Sequence, residues 1–202
     1  KLEYKRYAKN TARTYISYFE KFINHFKTNN LLNITEHDIQ TYLNTLAQKG
    51  VSTSQLNQVV NSIKFYYEVV EKMPNRFYSI ERPRKEERLP TILSTDEVKR
   101  IINSTNNIKH RCILSLLYSS GLRRQELLNL QPSDIDSQRM VITIRGGKRN
   151  KDRHTLLSPK VLSDLRKYYK QFMPSHYLFE GPAGKQYSGT SVAKILTKAA
   201  LK

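Results

Sequence analysis

Apolar residues recur at helical spacing from early in the chain. Tyr15, Ile16, Phe19, Phe22, Ile23 and Phe26 fall at intervals of one, three and four, which predicts one apolar face on a helix over 12–26. Thr11 stands where a capping side chain belongs, and Lys9, Arg13 and Lys21 decorate the polar side. Thr35-Glu36-His37-Asp38 opens a second helix through Ile39, Tyr42, Leu43 and Leu46, which Gly50 stops. A third begins at Ser52 or Thr53 and carries Leu56, Val59, Val60, Ile63, Phe65, Tyr66, Val69 and Val70 as far as Pro74. Three amphipathic helices in series predict a small bundle whose aromatics are mostly core.

The pattern then lapses. Ser79 to Pro90 holds two prolines and dense mixed charge, the composition of a linker, so the expected division is a bundle over 1–80, a basic linker over 81–93 and a second domain over 94–202. Ser94, with Glu97 three residues on, is a capping signal ahead of Val98, Ile101 and Ile102. An apolar helix runs from Ile108 to Tyr118. Gly121 breaks it, and Leu127, Leu128 and Leu130 supply the buried side of another helix that starts almost at once. Met140 to Ile144 is rich in β-branched residues and reads as a strand, Gly146-Gly147 as a tip, and Arg153 to Leu157 as the partner strand. Ser158-Pro159 opens a helix carrying Val161, Leu162, Leu165, Tyr168 and Tyr169. Tyr177 to Phe179 is a short apolar element, 181–184 a loop, and Thr190 onward a last helix with Val192, Ile195, Leu196 and Ala199. The fold class expected is mainly α with a small β-hairpin or sheet.

Charge narrows the functional classes. The 202 residues carry a formal net charge of +18 and an isoelectric point near 10.0, which points to a polyanion, nucleic acid before a membrane surface. No apolar run approaches the ~20 residues of a membrane span, and no signal peptide opens the chain. The single cysteine, Cys112, lies among Ile113, Leu114 and Leu116 and reads as core. A lone cysteine suits a reducing compartment, so a cytoplasmic location is expected. The five histidines lack the spacing of a metal site, and no metal is expected.

Two stretches carry candidate chemistry. After the Gly121 break, Arg123 falls at a helix start, where free backbone N–H groups and the dipole favour phosphate, and Glu126 lies one turn on, placed to hold an arginine. An ordinary corner with a solvated arginine reads equally well. Further on, Arg145, Lys148, Arg149, Lys151 and Arg153 face one acid, Asp152, around the hairpin tip. Lysines often blunt strand edges, but five cations on one tip fit contact with a phosphate or the minor groove better.

These stretches resemble the tyrosine recombinases, the phage integrase and Xer family. Gly121-Leu122-Arg123-Arg124-Gln125-Glu126-Leu127, after an apolar helix and before a closing Leu130, is similar to the family's first motif. Gly147-Lys148-Arg149-Asn150-Lys151-Asp152-Arg153 is similar to its hairpin tip. The resemblance implies that Arg123 is the first catalytic arginine, Glu126 the acidic residue supporting it, and Lys148 the catalytic lysine. It also implies a SAM-like core-binding domain at the N-terminus and the front part of an α+β catalytic domain after it. Lys5, Arg6, Lys9, Arg13 and Lys64 become candidate phosphate contacts of the first, and Arg124, Arg145, Arg149, Lys151 and Arg153 of the second. The family reaction needs no metal or nucleotide cofactor: a tyrosine attacks a DNA phosphodiester to give a 3′-phosphotyrosine, and full-length members act as homotetramers on paired duplexes.

One family motif is unmatched. None of His25, His37, His110, His154 or His176 begins a His-x-x-Arg, and none of the 13 tyrosines follows one. Tyr187, late and loop-borne, precedes where that motif belongs and reads as structural. The expectation is therefore a front piece of a recombinase that binds double-stranded DNA without cutting it. Two alternatives stay open: a non-catalytic DNA-binding remnant or regulator of recombination sites, and a basic helical RNA- or ribosome-associated protein.

Overall fold

The computed structural model describes every residue except 6, 28, 74–79, 83–88, 90, 147–150 and 202. Arg6, Gly147, Lys148, Arg149, Pro74 and most of the expected linker thus lie outside the described residues. The chain divides into two compact units, Lys1–Pro90 and Thr91–Lys202, and each builds its own apolar core.

The first unit is helical. α1 spans Lys9–His25, α2 Glu36–Gln48 and α3 Thr53–Phe65. Thr35 and Ser52 cap α2 and α3, each answered by the third helical residue, Asp38 or Gln55, which returns a bond to the cap. Gly50, at φ +76°, makes the left-handed turn between them. Phe22, Ile39, Tyr42, Leu56, Val60, Ile63 and Tyr67 fill the centre, and Ile80 closes it from the far end of the unit.

Two expectations need correction here. α1 begins at Lys9 with Ala8 at its cap position and no side-chain cap, so Thr11 is an interior residue. Its inward stripe runs through Tyr15, Tyr18, Phe19 and Phe22, of which Phe22 is fully buried and the others partly, and on to Phe26 just past its end, while Ile16 is 52% exposed and Ile23 38%. With so many aromatics already on one side, the two isoleucines fall on the flank of the stripe. α3 also changes character: Tyr66–Val70 forms a π-helical turn, in which the Glu71 N–H donates to the Tyr66 carbonyl at 3.0 Å. Within that turn the Tyr67 ring is fully buried and its hydroxyl donates to the Leu31 carbonyl at 2.5 Å.

The second unit is α+β. α4 spans Thr95–Asn103 behind the Ser94/Glu97 capping pair, α5 Ile108–Ser119 and α6 Arg124–Asn129. A 3₁₀ turn at Pro132–Asp134 leads into β1 (Ile135–Asp136), β2 (Val141–Ile144) and β3 (Arg153–Leu156), an antiparallel sheet in that order. α7 spans Pro159–Phe172, capped by Ser158, and α8 Gly189–Ala200, capped by Ser188. α5 lies at the centre, with Cys112, Ile113 and Leu116 fully buried; burial pushes the Cys112 thiol up to about 12, leaving it unreactive.

Nothing in the residue pattern marks the strand β1, because two residues carry no period. Met140, expected to open a strand, sits at φ +55° before β2. The helix after the corner is only six residues long, so Leu130 packs in the core from beyond its end. Tyr169 and Leu196, expected on apolar faces, are 48% and 47% exposed. No helix among the described residues is long and apolar enough to cross a membrane.

The difference between centre and flank is measurable. Leu116→Ala should cost about 2–5 kcal/mol, and Ile16→Ala should stay within roughly 0.5 kcal/mol of the parent, both read by chemical denaturation. Equal losses would refute the flank position of Ile16.

Candidate active site

The corner between α5 and α6 starts from local sequence chemistry. α5 runs to Ser119, and Gly121 at φ +58° turns the backbone where other residues would be strained. Leu122 drops into the core and Arg123 takes the cap position of α6, in extended conformation.

Glu126 organises the corner. Its side chain is 7% exposed. Oε1 accepts from Arg123 Nη1 at 2.7 Å, and Oε2 from the Arg123 backbone N–H at 2.9 Å and from Arg153 Nη2 at 2.9 Å. Burial pushes the Glu126 carboxyl up, but the bonds from Arg123 and Arg153 outweigh it and leave the group below the ordinary carboxylate range. The Arg123 and Arg153 side chains are 59% and 38% exposed, so both are gripped by the carboxylate while part of each stays in reach of solvent. Two fixed cations at one corner are what a phosphodiester needs, since a planar fork matches phosphate oxygens.

This geometry departs from the corner expected of the sequence. The N–H of Arg123 itself, at the cap, donates to Glu126, and the helix whose dipole is expected to favour phosphate is only six residues long. The arginine side chains carry the positive charge instead. Arg153, expected only as a DNA contact of the hairpin, stands beside Arg123.

The hairpin is laced to the corner by more than that pair. Ser120 Oγ donates to the Leu156 carbonyl at 2.8 Å, and Thr155 Oγ1 donates to the Ser120 carbonyl at 2.7 Å. Arg153 Nη2 reaches the Gly121 carbonyl at 3.4 Å. At the other flank of the tip, Arg145 Nη2 lies 2.9 Å from Asp134 Oδ1, an ion pair lacking hydrogen-bond alignment, and Arg145 Nη1 donates to Gln131 Oε1 at 3.2 Å. Asp134 is 3% exposed and also accepts from the Gln131 N–H. The Gly146 N–H donates to Asp152 Oδ1 at 2.8 Å across the neck.

The remaining candidates are scattered. Arg124 is exposed and lies against Gly189 at the start of α8, where an added Cβ would meet its Nε at 3.2 Å. Lys151 is exposed; Lys148 and Arg149 fall outside the described residues. In the first unit, Lys9 and Arg13 are exposed on α1, and Lys64 is paired with Glu68 at 3.3 Å. Tyr187 is partly buried, with Lys109 Nζ 4.7 Å from its ring centre. Burial raises its hydroxyl above the ordinary tyrosine value, in keeping with a ring packed against its neighbours.

Glu126→Gln should destabilise the second unit by about 1–3 kcal/mol, less than the roughly 3–5 kcal/mol of a wholly buried pair because both arginine side chains are partly exposed. The pH dependence has a definite sign. A carboxyl lowered on folding contributes stability that is complete above its unfolded value, about 4.3, and is lost as pH falls through the lower folded value. Acid unfolding of the parent should show that loss and Glu126→Gln should not; the same acid limb in both would rule out the ionised carboxylate.

Known proteins resemble the chain in sequence and in fold. Residues 91–202 match the phage integrase family, and residues 1–75 the phage integrase N-terminal SAM-like domain. A protein named as an integrase/recombinase in Sinorhizobium fredii is 34% identical over 204 residues, covering 98% of this chain and 65% of its own length. Tyrosine recombinase XerA of Pyrococcus horikoshii is 34% identical over 179 residues, 88% of this chain and 61% of its own length. The chain thus spans less than two thirds of these curated relatives. Among solved structures, a lambda integrase (75-356) dimer bound to a core site aligns over 99% of this chain and 76% of that one, with a TM-score of 0.76 at 17% identity. A lambda integrase tetramer on a Holliday junction aligns over 96% and 58%, at 0.74 and 17%. The architecture is theirs, and with the family's own model covering more than half its length, the chain belongs to the phage integrase family of tyrosine recombinases.

Proposed function

We propose that the chain serves DNA site-specific recombination, cleaving and rejoining duplex DNA through a 3′-phosphotyrosine intermediate. The observation that carries this reading is the corner itself: a family member in which a buried carboxylate holds Arg123 while more than half of that side chain stays exposed. In the reaction, Arg123 and its neighbours neutralise charge growing on the non-bridging phosphate oxygens. Preorganised donors do this with little reorganisation. Lys148, carried over from the resemblance of its segment, protonates the departing 5′-oxygen; cationic neighbours make such a proton easier to give up. A second arginine and the nucleophile are matched on no residue of this sequence. The phosphodiester backbone binds first through the basic surface, with Lys9, Arg13, Arg124, Arg145, Lys151 and Arg153 as its contacts. Such contacts set position and carry no sequence information. Assembly as a tetramer on paired sites, and work in the cytoplasm, belong to the same proposal.

Duplex binding by this chain should weaken steeply with salt, by roughly 10³-fold between about 50 and 200 mM if six or more phosphates are contacted. Salt-independent binding, or preference for RNA, would sink the reading. In the length spanned by its relatives, Arg123→Ala should abolish the covalent protein–DNA adduct while changing duplex affinity less than about tenfold, since one phosphate contact is a small share of the footprint. An adduct formed at the normal rate would remove Arg123 from catalysis.

A further inference from the structure

Arg153 has a position that neither its charge nor its place in the sequence explains. It pairs with Ile144 across the hairpin, at the first residue of β3, yet its side chain turns back to the corner. There Nη2 donates to Glu126 Oε2, the same oxygen that accepts the Arg123 backbone N–H, while the other oxygen takes Arg123 Nη1. One nearly buried carboxylate therefore has three donors from two arginines, one on the helix cap and one on the strand. A carboxylate offers about four lone-pair sites, and bonds to an ionised group are stronger than neutral ones. Three donors fix its plane, and the plane of the carboxylate fixes the direction of Arg123 Nη1.

A bland alternative is that Arg153 merely neutralises a buried acid. Two observations weigh against it. Arg123 already supplies a full charge to Glu126 at 2.7 Å, so a second guanidinium is not needed for neutrality. Moreover Arg153 Nε is buried without an acceptor among the described residues, a cost that an arginine placed only for stability would not carry. β3 is also tied to the corner independently, through Ser120 with Thr155 and Leu156.

We propose that Arg153 is a positioning residue: acting through Glu126, it orients the Arg123 guanidinium and joins the hairpin to the phosphate-binding corner. The inference deepens the recombinase reading, which gives the corner its phosphate, but its test needs no DNA. Bonds to a carboxylate slow rotation about the guanidinium Nε–Cζ bond, so a held arginine shows separate Nη signals in side-chain 15N NMR and a released one shows an average. In the unaltered chain, acidification should release Arg123 and Arg153 at one shared midpoint, below the ordinary glutamate range. Arg153→Gln should merge the Arg123 signals already at neutral pH, leaving no acid transition, and Arg153→Lys should largely restore both the separation and its acid midpoint.

The proposal is overturned if Arg123 keeps separate signals in a folded Arg153→Gln variant. It is equally overturned if, in the unaltered chain, the two arginines release at different midpoints, a result that stands even where the Gln variant fails to fold. A purely structural Arg153 would lower the melting temperature and leave the Arg123 signals unchanged. Failure of the unaltered chain to bind duplex DNA would refute the recombinase reading instead, with the Arg123–Arg153 coupling still decided by the acid titration.

Discussion

Glu126 is a carboxylate with little access to water, surrounded by two guanidinium groups and a backbone N–H. Burying a charge is costly unless it is both paired and hydrogen-bonded, and here the pairing decides the local structure. The carboxylate sits at the third residue of α6, so reaching back to the Arg123 N–H caps the helix. Because Oε2 also receives Arg153, the same cap draws β3 against the corner. Gly121 makes this possible by turning the backbone at positive φ, which places the cap of α6 beside the end of α5. One buried charge thus caps the helix and meets an arginine of the strand, beside the bonds that Ser120 makes to Thr155 and Leu156.

Much of this is legible in the residues, and the reasons are specific. Capping signals are local, so the stretch opening at Thr35, the start at Ser52 or Thr53 and the Ser94/Glu97 pair mark helix starts that the structure keeps. Where no cap side chain exists, as at Ala8, the residues place the start of α1 too late. The apolar stripe of α1 misleads at Ile16 and Ile23 because an aliphatic residue beside several aromatics competes for the same core space and can lose. The π turn at Tyr66–Val70 leaves no signal, since one extra residue in one turn alters no count that periodicity uses.

The site divides in the same way. Arg123 and Glu126 stand three residues apart, so their contact follows from helix geometry. Arg153 meets Glu126 across 27 positions of sequence, and only the docking of β3 on the corner brings them together. The signal available is the run of five cations around the tip, which indicates a charged surface without saying which cation turns inward. Arg145 is indistinct for the same reason: its partner Asp134 is buried at the end of a 3₁₀ turn eleven residues earlier.

The two buried acids together bracket the hairpin. Asp134 grips Arg145 on the outgoing side, Glu126 grips Arg153 on the returning side, and the Gly146–Asp152 bond closes the neck between them. Each strand of the hairpin therefore has an anchor of its own, so losing one acid would free one strand while the other stays held to the second unit.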